Sequence, residues 1–179
     1  MALFTDERAG NPVRIVMRLP RMTGIRMAVI FRHYDTPGRG VLGQRLANTC
    51  RMRGLSFLVA GDPSLAMRLR ADGVHLPQWQ TYRIRGLKND HPGWIVSAAC
   101  HDAPSLARAA AADCAFLSPV FVTASHEGTL PLGPLRAHAM AAAARLPVLA
   151  LGGINQHTAG KIKPGLFAGF GAIDGFEAD

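Results

Sequence analysis

The sequence is short of cysteine, of long apolar runs and of acidic charge, and each shortage removes a class of protein. The three cysteines, Cys50, Cys100 and Cys114, are widely spaced and form no C-x-x-C pair. Neither a disulfide framework nor a zinc knuckle is supported, and buried thiols are the plain reading. The longest apolar runs, residues 139–144 and 147–151, fall well short of the roughly 20 residues needed to cross a bilayer. Residues 1–10 lack the basic start and apolar stretch of a secretory signal, so a cytoplasmic location is expected. Acidic residues number 12 against 20 lysines and arginines, a formal net charge of +8. That balance suits nucleic acid, a membrane face or a small phosphorylated ligand. The arginines are scattered, however, with no basic run and no aromatic interleaving, which counts against nucleic acid.

What is present is a packable chain. Hydrophobic residues make up 49% of 179 residues, enough for one substantial core and too short for two ordinary domains, so one domain over 1–179 is expected. Short β-like runs alternate with helix-like ones, the pattern of a parallel α/β sheet. Strands are expected at 2–5, 26–32, 56–60, 72–75, 94–99, 113–117, 147–151 and 166–170. Helices are expected at 42–53, after a turn marked by Gly38 and Gly40, then from Pro63 to about Arg70, at 104–112 with Asp102 as cap, and at 134–145. Residues 78–92 are polar without a clean period and read as a loop. Residues 118–133, with two prolines and two glycines, are too long for an ordinary turn and are a candidate functional loop. Little chain remains after Gly171, so the last helix is expected to be abbreviated. Eight strands imply a compact (β/α)8 TIM barrel, with a doubly wound open sheet as the alternative, because such barrels more often take about 250 residues.

Three segments together resemble the thiamine-phosphate-synthase/TenI family, and within it a divergent branch. They are LFTDER at 3–8, ADGVHLPQ at 71–78, and LSPVFVTASHEG at 117–128 paired with PVLALGGI at 147–154. The resemblance implies a barrel whose chemistry sits at the C-terminal ends of the strands. It also implies thiamine biosynthesis: hydroxymethylpyrimidine pyrophosphate joins thiazole phosphate with release of pyrophosphate. TenI-type relatives isomerise the thiazole or have lost synthesis, so a thiazole-phosphate-binding or isomerising protein stays open beside the synthase. A basic nucleic-acid-binding module is the third reading.

The resemblance also assigns residues. Arg32, at the end of the second strand, falls where the family grips pyrophosphate, and a guanidinium can hold two phosphate oxygens at once. Thr123, Ser125 and His126 fall on the family's Thr-x-Thr-Lys segment, with His126 replacing a fixed charge by a titratable one. Arg32, Ser125 and His126 are therefore the catalytic candidates. Gly152 and Gly153 after strand seven, with Gly169 and Gly171 at strand eight, are expected to bring backbone N–H groups to a phosphate. His75 and His101 are candidate ligand contacts at the mouth. Magnesium is the implied cofactor, yet the family's Asn-Asp pair falls on Ala60 and Gly61 and a further aspartate falls on Gln80. Asp62 is the nearby carboxylate offered as a metal ligand, although magnesium tolerates little geometric error. The implied partners are small phosphorylated thiamine precursors. No apolar stripe singles out an interface, so a homo-oligomer stays open.

Overall fold

A computed structural model of the chain describes residues 1–21, 24–123 and 130–173. Eight parallel strands close into a barrel in sequence order: β1 (Ala2–Phe4), β2 (Ala28–Phe31), β3 (Ser56–Ala60), β4 (Gly73–Leu76), β5 (Ile95–Cys100), β6 (Cys114–Leu117), β7 (Val148–Ala150) and β8 (Gly169–Ala172). β8 pairs with β1 through Ala2 opposite Gly171 and Leu3 opposite Ala172. Closure disposes of the open-sheet alternative. Between the strands lie α1 (Pro12–Arg18), α2 (Arg39–Arg53), α3 (Pro63–Leu69), α4 (Ile84–Asp90), α5 (Ala103–Arg108) and α6 (Pro134–Ala143).

Alternation along each strand builds two cores. Inward residues Ala2, Phe4, Ile30, Leu58, Ala60, Phe116 and Leu149 fill the barrel. Their neighbours Leu3, Val29, Phe31, Phe57, Val59 and Val148 face outward and pack with the helices. The helix starts are written into the sequence as a polar cap before a proline. Asn11 accepts from the amides of Val13 and Arg14 ahead of α1, and Asp62 accepts from Leu65 ahead of α3. Asp102 forms a capping box with Ser105 ahead of α5. Each cap satisfies amides that the helix cannot, and proline forfeits nothing in the first turn.

A second device repeats at the far end of the barrel. Asp72, just before β4, donates its amide to the Phe57 carbonyl at 2.9 Å and accepts the Phe57 amide on its carboxylate at 2.7 Å. Asp113, just before β6, does the same with Val96, at 2.9 and 2.8 Å. Each Ala-Asp pair thereby fixes the register of one strand on the strand before it.

Several expectations need correction. Residues 78–92 are not a loop: Gln78–Arg83 is a 3-10 helix that runs into α4. Its buried positions are Gln80, Thr81, Ile84 and Leu87, so two polar residues occupy inward places and hide the period. α2 begins at Arg39, which puts Gly40 inside the helix, and α1 was not foreseen. β8 starts at Gly169 rather than 166, because its inward face uses glycine: a Cβ on Gly171 would lie 2.8 Å from the Phe4 ring and 3.2 Å from that of Phe116. The shortened connection among the described residues is the one between β7 and β8, which holds only the 3-10 turn Ala159–Lys161. The end of the chain, where an abbreviated last helix was expected, lies outside the described residues.

Asp113 also accepts from Lys88 Nζ at 2.6 Å, but that pair is partly exposed and such pairs contribute about 0–1 kcal/mol. Asp113→Ala should lower stability by about 1–3 kcal/mol through the orphaned Val96 amide, and Lys88→Ala by less than half of that, as read by urea unfolding. Equal losses would assign the effect to the ion pair instead.

Candidate active site at the barrel mouth

At the C-terminal ends of β1 and β2 a polar cluster follows directly from strand alternation. Phe4, Ile30 and therefore Arg32 share the inward direction. The Arg32 guanidinium lies 5.8 Å from the Phe4 ring centroid, and its Nη2 donates to the Asp6 carboxylate at 2.8 Å. Asp6 also accepts from Arg8 through two side-chain bonds at 2.9 and 3.0 Å. The Arg8 bonds, and after them the Arg32 charge, hold its carboxyl well below the usual carboxylate range. Thr5 Oγ1 accepts the Arg32 amide at 3.0 Å and is hydrogen-bonded to His33 Nδ1 at 2.9 Å. Asp6 thus orients Arg32 by one edge, and Nη1 and Nε keep no hydrogen-bond partner among the described residues.

His75 lies under this cluster. Its ring meets Phe4 and Phe116 edge-on at 5.2 and 5.5 Å, and its Nδ1 is 3.0 Å from Ser97 Oγ. Burial first, and the Arg32 charge second, push its pKa down to about 3. It is a neutral, satisfied plug beneath the mouth. His101, on the rim after β5, has Nδ1 at 2.7 Å from the Ser118 carbonyl oxygen. A carbonyl only accepts, so Nδ1 carries the proton and Nε2 is the basic nitrogen of the neutral ring. His101 lines a groove of about 840 Å³ with Trp79, Tyr82, Arg85 and Arg108, beside the mouth between α5 and the 3-10 helix.

The turn after β7 is bound to the loop after β6. Phe121 donates its amide to the Gly152 carbonyl at 3.1 Å, and Thr158 Oγ1 donates to the Gly153 carbonyl at 2.7 Å. A Cβ on Gly153 would fall 2.3 Å from the Val122 carbonyl oxygen, and both glycines have positive φ, +91° and +64°. These glycines let two loops touch, and no acceptor among the described residues meets either N–H. Thr123 lies in the same loop, whereas Ser125 and His126 lie outside the described residues. Gly169 opens β8, with its Cβ position 3.9 Å from the Met1 nitrogen, and Gly171 packs on interior rings. The structure does not bring either to the mouth beside Arg32.

The magnesium donor set does not fit. Ala60 and Gly61 present only carbonyls, and these accept from Arg39 Nη2 at 2.9 Å and Gln80 Nε2 at 3.2 Å. Asp62, the expected metal ligand, is instead the α3 cap: it accepts from the Leu65 amide at 2.8 Å and faces Arg39 Nη1 at 3.4 Å. A neutral amide, two engaged carbonyls and a capping carboxylate are a poor match to the hard anionic shell magnesium requires. The cysteines are structural: burial raises Cys50 to about 12 and Cys100 and Cys114 to about 11, which leaves them as inert thiols.

Sequence reading missed three contributors. Asp6 and Thr5 stood inside LFTDER without a role, and their place directly after an inward phenylalanine is the signal that marks them. Arg39, between Gly38 and Gly40, was hidden in what read as a turn.

Comparisons with known proteins agree with this architecture. The sequence profile of the family described as thiamine monophosphate synthase matches residues 9–171. A thiamine-phosphate synthase of Chlorobium luteolum is 31% identical over 167 residues, covering 90% of this chain and 77% of that protein. One of Anoxybacillus flavithermus is 34% identical over 131 residues, but this covers 68% of the chain and only 57% of the relative. The solved thiamine phosphate pyrophosphorylase of Pyrococcus furiosus superposes with a TM-score of 0.78 at 23% identity, over 96% of this chain and 84% of that one, which establishes the barrel. Among the described residues no helix is long and apolar enough to cross a membrane.

The depressed His75 pKa makes stability depend on pH. The folded state resists protonation that the unfolded chain accepts near 6.5, so the stabilisation is complete above that pH and is lost as pH falls toward about 3. Urea unfolding between pH 6.5 and 4 should show stability falling with acid, and His75→Gln should flatten that slope by up to about 1.4 kcal/mol per pH unit. An unchanged slope would contradict the buried neutral plug.

Proposed function

Because the chain belongs to the thiamine monophosphate synthase family, we propose that it joins hydroxymethylpyrimidine pyrophosphate to thiazole phosphate. The carbon–oxygen bond to pyrophosphate breaks, a carbon–nitrogen bond to the thiazole forms, and the electron pair leaves on the pyrophosphate oxygen. The observation that carries this reading is the Arg32–Asp6 pair, which aims an open guanidinium edge over the mouth from a fixed position. Charge develops on the leaving pyrophosphate, and a preoriented cation stabilises it without reorganising. A bidentate guanidinium is stronger there than a single ammonium.

The remaining assignments follow the same division. Gly152 and Gly153 offer their N–H groups to the thiazole phosphate, as loops after the seventh strand do in such barrels. Thr123, with Ser125 and His126 after it in sequence, reaches the pyrophosphate from the facing loop. His75 supports the floor rather than exchanging protons, since at neutral pH its ring is uncharged and its Nδ1 is engaged with Ser97. His101 contacts the outer side of the ligand. The second reading, a TenI-like protein that binds or isomerises thiazole phosphate, is favoured by the loss of carboxylates at Gly61 and Gln80.

The test is formation of thiamine phosphate by the purified protein from the two precursors. Wild-type protein should give product, and Arg32→Ala should lower kcat/KM by about 10²–10³-fold, the scale of a lost charge-stabilising donor. No product from a folded protein that thiazole phosphate still protects against unfolding would replace the synthase by the TenI-like reading.

A further inference from the structure

Arg39 has a position and a bonding state that the role of Arg32 does not explain. Its guanidinium lies at the C-terminal ends of β2 and β3, with Nη2 on the Ala60 carbonyl at 2.9 Å and Nη1 3.4 Å from Asp62. It stands 5.7 Å from the Phe31 centroid and 5.4 Å from the Tyr34 centroid, and its side chain is only 18% exposed. Its Nε is buried with no hydrogen-bond partner. One full bond, one long contact and one buried orphan leave the cation under-satisfied, and such a group calls for a reason. Asp62 supplies it only in part: its Oδ2 lies 3.4 Å from Nη1, while its Oδ1 holds the Leu65 amide at the start of α3.

The place matters as much as the state. Ala60 and Gly61 stand where carboxamide and carboxylate ligands of a metal are expected from the resemblance, and the guanidinium is bonded to that segment. Tyr34 screens it from one side and closes over Gly61, whose Cβ position lies 3.2 Å from the Tyr34 ring. Burial lowers the pKa of His33, the Glu7 and Asp6 charges oppose that, and the Arg32 and Arg39 charges add smaller lowering contributions, so both cations lie near the same end of the barrel.

Building on the synthase reading, we propose that Arg39 replaces magnesium: with Arg32 it forms a metal-independent site for the pyrophosphate group, its guanidinium occupying the region of the lost metal ligands. A fixed cation there stabilises the electron pair that arrives on pyrophosphate as the carbon–oxygen bond breaks. It requires no carboxylate cage, which accounts for the small residues at 60 and 61 and the neutral amide at 80. Lysine offers only a point charge, whereas the planar fork reaches a pyrophosphate oxygen and the Ala60 carbonyl together.

The experiment measures binding of inorganic pyrophosphate by calorimetry, in EDTA and then in magnesium, beside synthesis under the same two conditions. Wild-type affinity in EDTA should lie within about threefold of that in magnesium, by the ordinary scale of ionic effects. Arg39→Ala should weaken binding in EDTA at least about tenfold, and Arg39→Lys should recover part of it. Arg39→Gln, checked by thermal unfolding, separates charge from packing if the alanine variant fails to fold. Binding and product that both require magnesium would overturn the inference and leave the synthase reading intact. Unchanged affinity in folded Arg39→Gln would also overturn it. Magnesium-free binding through Arg39 with no product under either condition would sustain the site and overturn the synthase reading alone.

Discussion

The mouth of this barrel depends on what is packed beneath it. His75, between Phe4 and Phe116 and bonded to Ser97, fills the interior at the level where the strands end. A charged group there would be costly to bury, and the ring answers by staying neutral. Above that floor the Arg32 charge has one direction in which to act, toward a ligand outside the strand ends. Gly171 belongs to the same constraint, because only a residue without a side chain leaves room for the two aromatic rings.

The fixed cations then form a graded set. Arg32 is held by Asp6, itself held by Arg8, so its orientation is set before any ligand arrives. Arg39 is held more loosely, by a carbonyl and a distant carboxylate. Preorganised charge is effective because no dipoles have to turn as the reaction proceeds. The turn after β7 contributes in another way: its carbonyls are tied to the loop after β6 and to Thr158, which leaves its amides facing away from those bonds. Cations on one side of the mouth and amides on the other suit a reaction between two phosphorylated partners.

Much of the barrel was legible in the sequence because parallel strands buried on both faces read as short β-branched and apolar runs, as SFLVA at β3 shows. Arg32 was legible through the resemblance, which puts an arginine for pyrophosphate at the end of the second strand, and strand alternation after Ile30 gives it the inward direction. The site's supporting cast was not. Gln80 and Thr81 hide a helix by being polar and buried, β8 hides by using glycine where an apolar side chain is expected, and Arg39 hides between glycines that look like a turn. The role of Asp62 depended on whether its carboxylate faces a ligand or the first amides of α3, and a sequence followed by proline argues for the second. Gly169 and Gly171 were misplaced along β8 by the apolar run at 166–170, so their expected approach to phosphate went with it.

A crystal structure of the protein with pyrophosphate and manganese, recorded at a wavelength where manganese scatters anomalously, tests most directly whether the two arginines take the place of a metal. Pyrophosphate is expected between the guanidiniums of Arg32 and Arg39, over the His75 floor, with no manganese peak near Asp62 or Gln80. A manganese peak bridging pyrophosphate and the Asp62 carboxylate, with Arg39 turned away, would contradict that replacement.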